Sequence, residues 1–247
     1  MTSKKINTYN ESSLHNTLKL LYAENSKGKT EIEENGYIYD IITGDSNVIE
    51  IQTKNLSKLL PKIMATLDKG KKITVVHPLV VTKRIVLYSK DGKLISNRKS
   101  PKKKSIYDLF EELTGIYPVL LNENFTLEVL EISLIEERIK TEEAVNSKNK
   151  GRRFKKNWIK INKRLDEIIN TKTFRKKSDY LELLPKSLPE IFCAKNLEEC
   201  LKNKNYPQNA YKNAHLILWV LSRMDLIELS AKPEDIPKTR AKYYRIK

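Results

Sequence analysis

Val48-Ile49-Glu50-Ile51-Gln52-Thr53-Lys54 alternates. On an extended chain Ile49 and Ile51 take one face, and Val48, Glu50, Gln52 and Lys54 take the other. That second face carries an acid, an amide and an amine in one row. Ten residues earlier Asp40 lies in a second apolar run, Tyr37-Ile38-Tyr39-Asp40-Ile41-Ile42. Thr43-Gly44-Asp45-Ser46-Asn47 between them is turn chemistry. A hairpin of the two runs brings Asp40 toward Glu50 across the ladder, so two carboxylates, an amide and an amine face one small volume.

Such a set suits metal-assisted phosphodiester hydrolysis. Mg²⁺ takes hard oxygen ligands, commonly one or two protein carboxylates with water and phosphate. Bound metal polarises a phosphoryl oxygen and acidifies a bound water. A neighbouring lysine or amide orients that water or offsets charge on the phosphoryl group. The competing reading is a surface hairpin with solvated charges.

The 247 residues suffice for one large domain or two ordinary ones. Charged residues make up 32% and hydrophobic residues 39%, a soluble composition. No apolar run approaches the ~18 residues of a membrane span. The polar N-terminus does not read as a signal core. Cys193 and Cys200 fit no zinc or redox spacing, which points to thiols in a reducing cytoplasm. The net charge of +16 is uneven. Residues 1–146 carry a net of +2 and residues 147–247 a net of +14. A polyanion is the expected partner of the second half, with no membrane anchor.

Along the chain, Glu11-Ser12-Ser13 opens a helix with Leu14, Leu18 and Leu21 at helical spacing. His15 shares a face with Glu11. Leu56, Leu59, Leu60, Ile63 and Leu67 predict an amphipathic helix over 55–68, with Pro61 marking a kink or late start. Ile73-Thr74-Val75-Val76 reads as a short strand ending at His77-Pro78, so strand, helix and strand make a right-handed parallel crossover. Arg84–Tyr88 and Lys93–Ile95 flank Asp91-Gly92, a hairpin signal. The first half is therefore expected to be α/β with a mixed sheet.

An early helical acid, an Asp at a hairpin strand's end, an acid-x-(Lys or Gln) strand and a crossover helix resemble the PD-(D/E)XK nuclease superfamily. That superfamily includes type II restriction enzymes and archaeal Holliday-junction resolvases. The resemblance covers residues 10–100. Asp40 matches the motif Asp, with Tyr39 standing where the motif has Pro. Glu50 matches the second acid if Gln52 fills the lysine position; alternatively Gln52-x-Lys54 is the pair. Glu11 matches the first-helix acid by position. The resemblance implies a restriction-endonuclease-like core in which Glu11, Asp40 and Glu50 hold Mg²⁺ or Mn²⁺. Gln52 would orient water and Lys54 would meet the phosphate.

Arg98, Lys99, Lys102, Lys103 and Lys104 crowd around Pro101 in an expected loop. It is either a solvated charge run or a phosphate contact. Ser105 is placed to cap a helix over 106–114, and 125–139 reads as a strand. Lys148 to Lys156, including Arg152 and Arg153, form a cationic run. Trp158, Ile159, Ile161, Leu165, Ile168 and Ile169 predict a helix after it.

Residues 178–247 read as helix, helix, a long helix over 209–224, strand, loop, strand. That order resembles the winged helix-turn-helix family. The resemblance implies that Gln208, Lys212 and His215 share a face toward bases and that Arg240 and Lys242 meet phosphates.

The expected organisation is a nuclease-like domain over 1–145, a basic linker and helix over 146–177, and a mainly helical winged-helix domain over 178–247. The expected function is a cytoplasmic, Mg²⁺-dependent DNA endonuclease of restriction or junction-processing type. A homodimer would be needed to cut both strands with paired sites. A non-catalytic DNA-binding regulator on a nuclease-like platform is the alternative. RNA binding ranks last, because aromatics do not interleave the basic runs.

Overall fold

A computed structural model describes residues 13–146, 153–234 and 240–247. Helix α1 (Ser13–Ser26) leads into β1 (Lys29–Glu34), β2 (Tyr37–Ile42) and β3 (Val48–Ile51), an antiparallel meander. A 3₁₀ turn (Leu56–Leu59) starts helix α2 (Leu60–Leu67) late, with Pro61 in its first turn where its missing N–H costs nothing. The chain then enters β4 (Ile73–Tyr88), parallel to β3. Strand β5 (Leu94–Lys99) folds back on β4 around Asp91-Gly92, as the turn chemistry anticipates.

A second 3₁₀ turn (Ile106–Asp108) is capped reciprocally. Ser105 N–H donates to Asp108 Oδ2 at 2.8 Å. Helix α3 (Leu109–Leu113) and a turn at Tyr117–Val119 precede β6 (Phe125–Val145) and β7 (Lys156–Phe174). The sheet order is β1-β2-β3-β4-β6-β7, with β3 and β5 both paired to β4.

Three local expectations are corrected here. The segment predicted as a helix from Trp158 to Ile169 is strand β7, so the sheet's last strand comes from residues read as a basic linker. The strand expected to end at His77-Pro78 runs on to Tyr88. Val76 O accepts the Gln52 N–H at 2.9 Å. Two residues on, Pro78 aims its nitrogen the same way, past the end of β3, so no ladder bond is lost. Arg98 and Lys99 belong to β5, and only 100–105 remain irregular.

The sheet is covered on both faces. Ile49, Ile51, Val76 and Leu130 pack with Leu14 and Leu18 of α1. Val48, Val75 and Val129 pack with α2 and α3. This second core continues into the C-terminal elements: α4 (Lys177–Leu181), α5 (Ala194–Asn203), α6 (Gln208–Lys212), α7 (Ala214–Arg223), β8 (Ile227–Ser230) and β9 (Tyr243–Ile246). Tyr107 donates its hydroxyl to Leu183 O at 2.8 Å, and Tyr117 meets Trp219 edge-on at 5.7 Å. The long helix expected over 209–224 is two helices, broken at Asn213. β8 and β9 pair antiparallel as expected.

A candidate active site in a strand fork

β2 and β3 pair only as far as Ile41↔Ile49 and then diverge. Asp40 and Glu50 stand at the opening. Each carboxylate takes the place of a missing ladder bond. Asp40 N–H donates to Glu50 Oε1 at 3.0 Å, and Ile51 N–H donates to Asp40 Oδ2 at 2.8 Å. Backbone donors that divergence would orphan are thereby satisfied, and two acids are held side by side without side-chain freedom.

A lysine and a histidine attend them. Lys62 Nζ, from the first turn of α2, lies 2.5 Å from Glu50 Oε1. It also donates to Ile38 O and sits over the Tyr39 ring at 4.8 Å. Tyr39 OH bonds Thr66 Oγ1 at 2.9 Å, and Thr66 Oγ1 donates to Lys62 O at 2.7 Å. These bonds tie the lysine's own turn to β2. Farther back, Leu56 N–H donates to Glu112 Oε2 at 2.8 Å, anchoring the turn before α2 on α3. Gly115 is needed there: a Cβ would stand 2.4 Å from Ser57 Cβ. From the other face, His15 Nε2 of α1 lies 3.4 Å from Asp40 Oδ2.

The pair is electrostatically unequal. Glu50 is 3% exposed. Burial, and then the charge of Asp40, push its carboxyl up to about 7 against the pull of Lys62. Burial also opposes ionisation of Asp40. There the hydrogen bonds from His15 and Ile51, with the charges of His15 and Lys62, prevail and hold it below the usual carboxylate range. Behind the fork, His77 Nδ1 meets Gln52 O at 2.7 Å, and its burial depresses its basicity. A neutral ring donating to the carbonyl fits both facts.

The row expected beyond Glu50 does not continue. β3 ends at Ile51, and Gln52 Nε2 donates to Asn55 O at 3.2 Å instead of turning to the acids. Lys54 is exposed in the following turn. The cation at Glu50 is Lys62, which the sequence reading passed over. Its available signal was a lysine one residue after Pro61, beside Ile63 on the apolar stripe.

Glu11 and Arg152 lie outside the described residues. Among the described residues no three His, Cys, Asp or Glu side chains gather as a metal cage. The donor chemistry nevertheless fits a divalent ion: two carboxylates so close that one is pushed toward its neutral form are relieved by added positive charge.

The remaining basic candidates are scattered. Arg98, Lys99, Lys102, Lys103, Lys104 and Arg153 are exposed around the β4–β5 and β6–β7 hairpins. Gln208 and Lys212 belong to α6 and His215 to α7, so the break at Asn213 interrupts the shared face expected of them. Arg240 and Lys242 are exposed just before β9.

Fold and site together define an α/β protein on a mixed sheet, with a paired-carboxylate centre at a strand fork. The chain belongs to the DUF8091 family, described as a domain of unknown function, whose profile matches residues 12–175. A relative from Treponema pallidum (strain Nichols), described as an uncharacterized protein, is 31% identical over 195 residues. The alignment covers 78% of this chain and 74% of that protein. No solved structure matches. Among the described residues no helix is long and apolar enough to cross a membrane.

Proposed function

We propose that the chain is a divalent-metal-dependent DNA endonuclease whose reacting centre is the β2–β3 fork. The observation that carries this reading is the reciprocal hold on Asp40 and Glu50, with Glu50 lifted to about 7. Strongly perturbed carboxylates beside a specific charge partner are what catalytic sites require. The order α1, meander, α2, parallel β4 is also what the PD-(D/E)XK resemblance implies, with the acids on its second and third strands. The helices and β8–β9 hairpin after residue 177 keep the order of a winged helix, and serve here as an accessory DNA-binding module.

Asp40 and Glu50 would hold Mg²⁺ or Mn²⁺, with Glu11 a further donor by position. The metal would supply Lewis acidity and an acidified water. The chain's own contribution is positional. The two backbone N–H donors keep both acids aimed into one volume before substrate arrives. Lys62 offsets their charge, and on substrate entry its ammonium is placed to transfer that service to a phosphoryl oxygen. Neutral His77 carries no charge that would compete with the metal.

Cleavage of supercoiled, linear and branched DNA with Mg²⁺ or Mn²⁺ tests the reading. Metal-dependent cutting that disappears in Asp40→Ala and in Glu50→Ala supports it. Tight DNA binding with no cutting of any substrate favours the second reading, a non-catalytic DNA-binding regulator. Gln52 gives that second reading its specific support, because its amide is spent on Asn55 and not on the acids.

A further inference from the structure

A cleft of about 920 Å³ opens between α1 and the β6–β7 hairpin. It adjoins the fork through the chain itself. Ser13 and Leu14 on its wall precede His15, and Thr53 and Lys54 follow Gln52. Its cations are of two kinds. Lys19 is buried and bound to Glu31 at 2.7 Å, so that pair is neutral. Among the described residues none of Lys54, Lys160 and Lys163 forms a salt bridge, and Glu136 is the carboxylate whose charge reaches Lys160 and Lys163. Burial, then the charges of Lys160, Lys83 and Lys54, lower the Lys163 ammonium below the usual lysine range. Glu136 faces Lys163 too, but it is already held by Arg138 and lies 3.5 Å from Lys83. Three lysines beside one carboxylate that is already engaged leave the cleft with positive charge, which an anion would offset.

The same cleft exposes large apolar side chains. Leu20 is 58% and Ile161 45% exposed, both lining it. Free phosphate has no use for them, whereas a nucleotide chain does. The size limits the choice further. The volume lies in the range of small-ligand pockets and suits a short stretch of one strand better than both strands of a duplex.

We infer that this cleft receives a single-stranded DNA arm leading to the Asp40–Glu50 centre, so that the preferred substrate is branched or frayed DNA. The inference rests on the nuclease reading above and names its substrate class. Phosphates take Lys54, Lys160 and Lys163; sugars and bases lie over Leu20 and Ile161. Sequence is not read there, because the contacts are to backbone and apolar faces.

The test separates binding from cutting. Fluorescence anisotropy in EDTA compares labelled twelve-nucleotide oligo-dT with a twelve-base-pair duplex and an RNA strand of the same length. The single DNA strand is expected to bind the full chain best. Changing Lys54, Lys160 and Lys163 together to Ala should weaken it tenfold or more and flatten its log K against log salt slope by about 2. A charge-matched control, Lys72, Lys93 and Lys186 to Ala, should change it less than threefold. Leu20→Ser with Ile161→Ser, which leaves charge intact, should weaken the strand and not inorganic phosphate. Equal loss in the control, or preference for duplex or RNA, overturns the cleft assignment. With Mg²⁺, the cleft variant should cut a splayed-arm duplex at least tenfold more slowly than wild type. If wild type cuts and the cleft variant cuts equally well, the cleft inference fails and the nuclease reading survives. If the strand binds in the cleft but nothing is cut, the nuclease reading fails and the cleft stands.

Discussion

Two buried glutamates in this sheet end on opposite sides of the ordinary carboxylate value. Glu136, on β6, is 6% exposed and Glu50, on β3, is 3% exposed. Burial pushes both toward the neutral form. At Glu136 the Arg138 guanidinium binds one carboxylate oxygen, Lys83 approaches the other at 3.5 Å, and the Lys160 charge adds to them. Its carboxyl therefore falls below the ordinary value. At Glu50 a single ammonium must serve while Asp40 competes for it, and the carboxyl rises to about 7. One centre is electrically complete; the other is short of positive charge. Burial of an acid does not by itself mark a site. An acid left in deficit by its neighbours is the better candidate.

The largest expected effect breaks this comparison at the level of catalysis. Asp40→Ala and Glu50→Gln should each reduce metal-dependent DNA cleavage by more than about 100-fold. Glu136→Gln should leave it within about threefold, since its partners are already on the protein. Initial rates on branched DNA with Mg²⁺ decide between them. Equal losses at Glu50 and Glu136 would mean that the fork has no special role.

Stability against pH sharpens the contrast next, because the two signs differ. Glu50 titrates higher when folded than when unfolded. Between about 4.5 and about 7 the folded chain therefore holds a proton that the unfolded chain has released. Stability from this group is present at the acid end and lost as pH rises through that window, by about 3 kcal/mol in all. Glu50→Gln should flatten the wild-type slope there and be at least as stable above pH 7. Mg²⁺ should stabilise wild type above pH 7 and not the variant. Glu136 is depressed, so its contribution is present above the ordinary carboxylate value and disappears as pH falls below it. Glu136→Gln should be less stable at neutral pH, with the gap closing in acid. Urea unfolding from about pH 2 to about pH 8 measures both.

Much of the fork was legible because β3 is short and its neighbours alternate. Val48 against Ile49, the Thr43–Asn47 turn and the Leu56–Leu67 stripe each carry their own period. Asp91-Gly92 and the Ser105 cap were legible for the same local reason. β7 was not. Trp158, Ile159, Leu165 and Ile168 fall near helical spacing because the β6–β7 ladder shifts register at Glu131/Ile132, Ser133/Leu134 and Glu137/Arg138. Each shift resets the two-residue alternation, and the sum mimics a longer period. The break at Asn213 was equally hidden, with no Gly or Pro to announce it. Lys62 escaped for another reason. The sequence pattern points to a cation along β3, whereas the fold brings it from α2, whose facing depends on the Tyr39–Thr66 hydrogen bond and on Ile63 in the core.

Lys62→Met sharpens the deficit at the fork. It preserves the aliphatic stem but leaves Asp40 and Glu50 facing one another with His15 as the nearest remaining basic group. Breaking a buried pair costs ~3–5 kcal/mol when the remaining charge must stay. Glu50 escapes most of that by taking a proton, so about 2 kcal/mol is expected at pH 8 and less at pH 6. Chemical unfolding at the two pH values measures the difference. A loss that does not depend on pH would mean that Lys62 acts through packing alone.

The smallest effect belongs to His15. Its Nε2 stands 3.4 Å from Asp40 Oδ2, and Asp40 keeps the Ile51 N–H at 2.8 Å without it. His15→Gln should therefore leave the fork assembled and slow cleavage only about two- to fivefold, the scale of one long, partly solvated contact. Its signature lies in the pH profile. A protonated imidazole lowers Asp40, so the acid limb of the rate should move to higher pH in the variant while the Glu50 limb stays near 7. Movement of both limbs together would place His15 in charge of Glu50 as well, and the two acids would then have to be treated as one titrating unit.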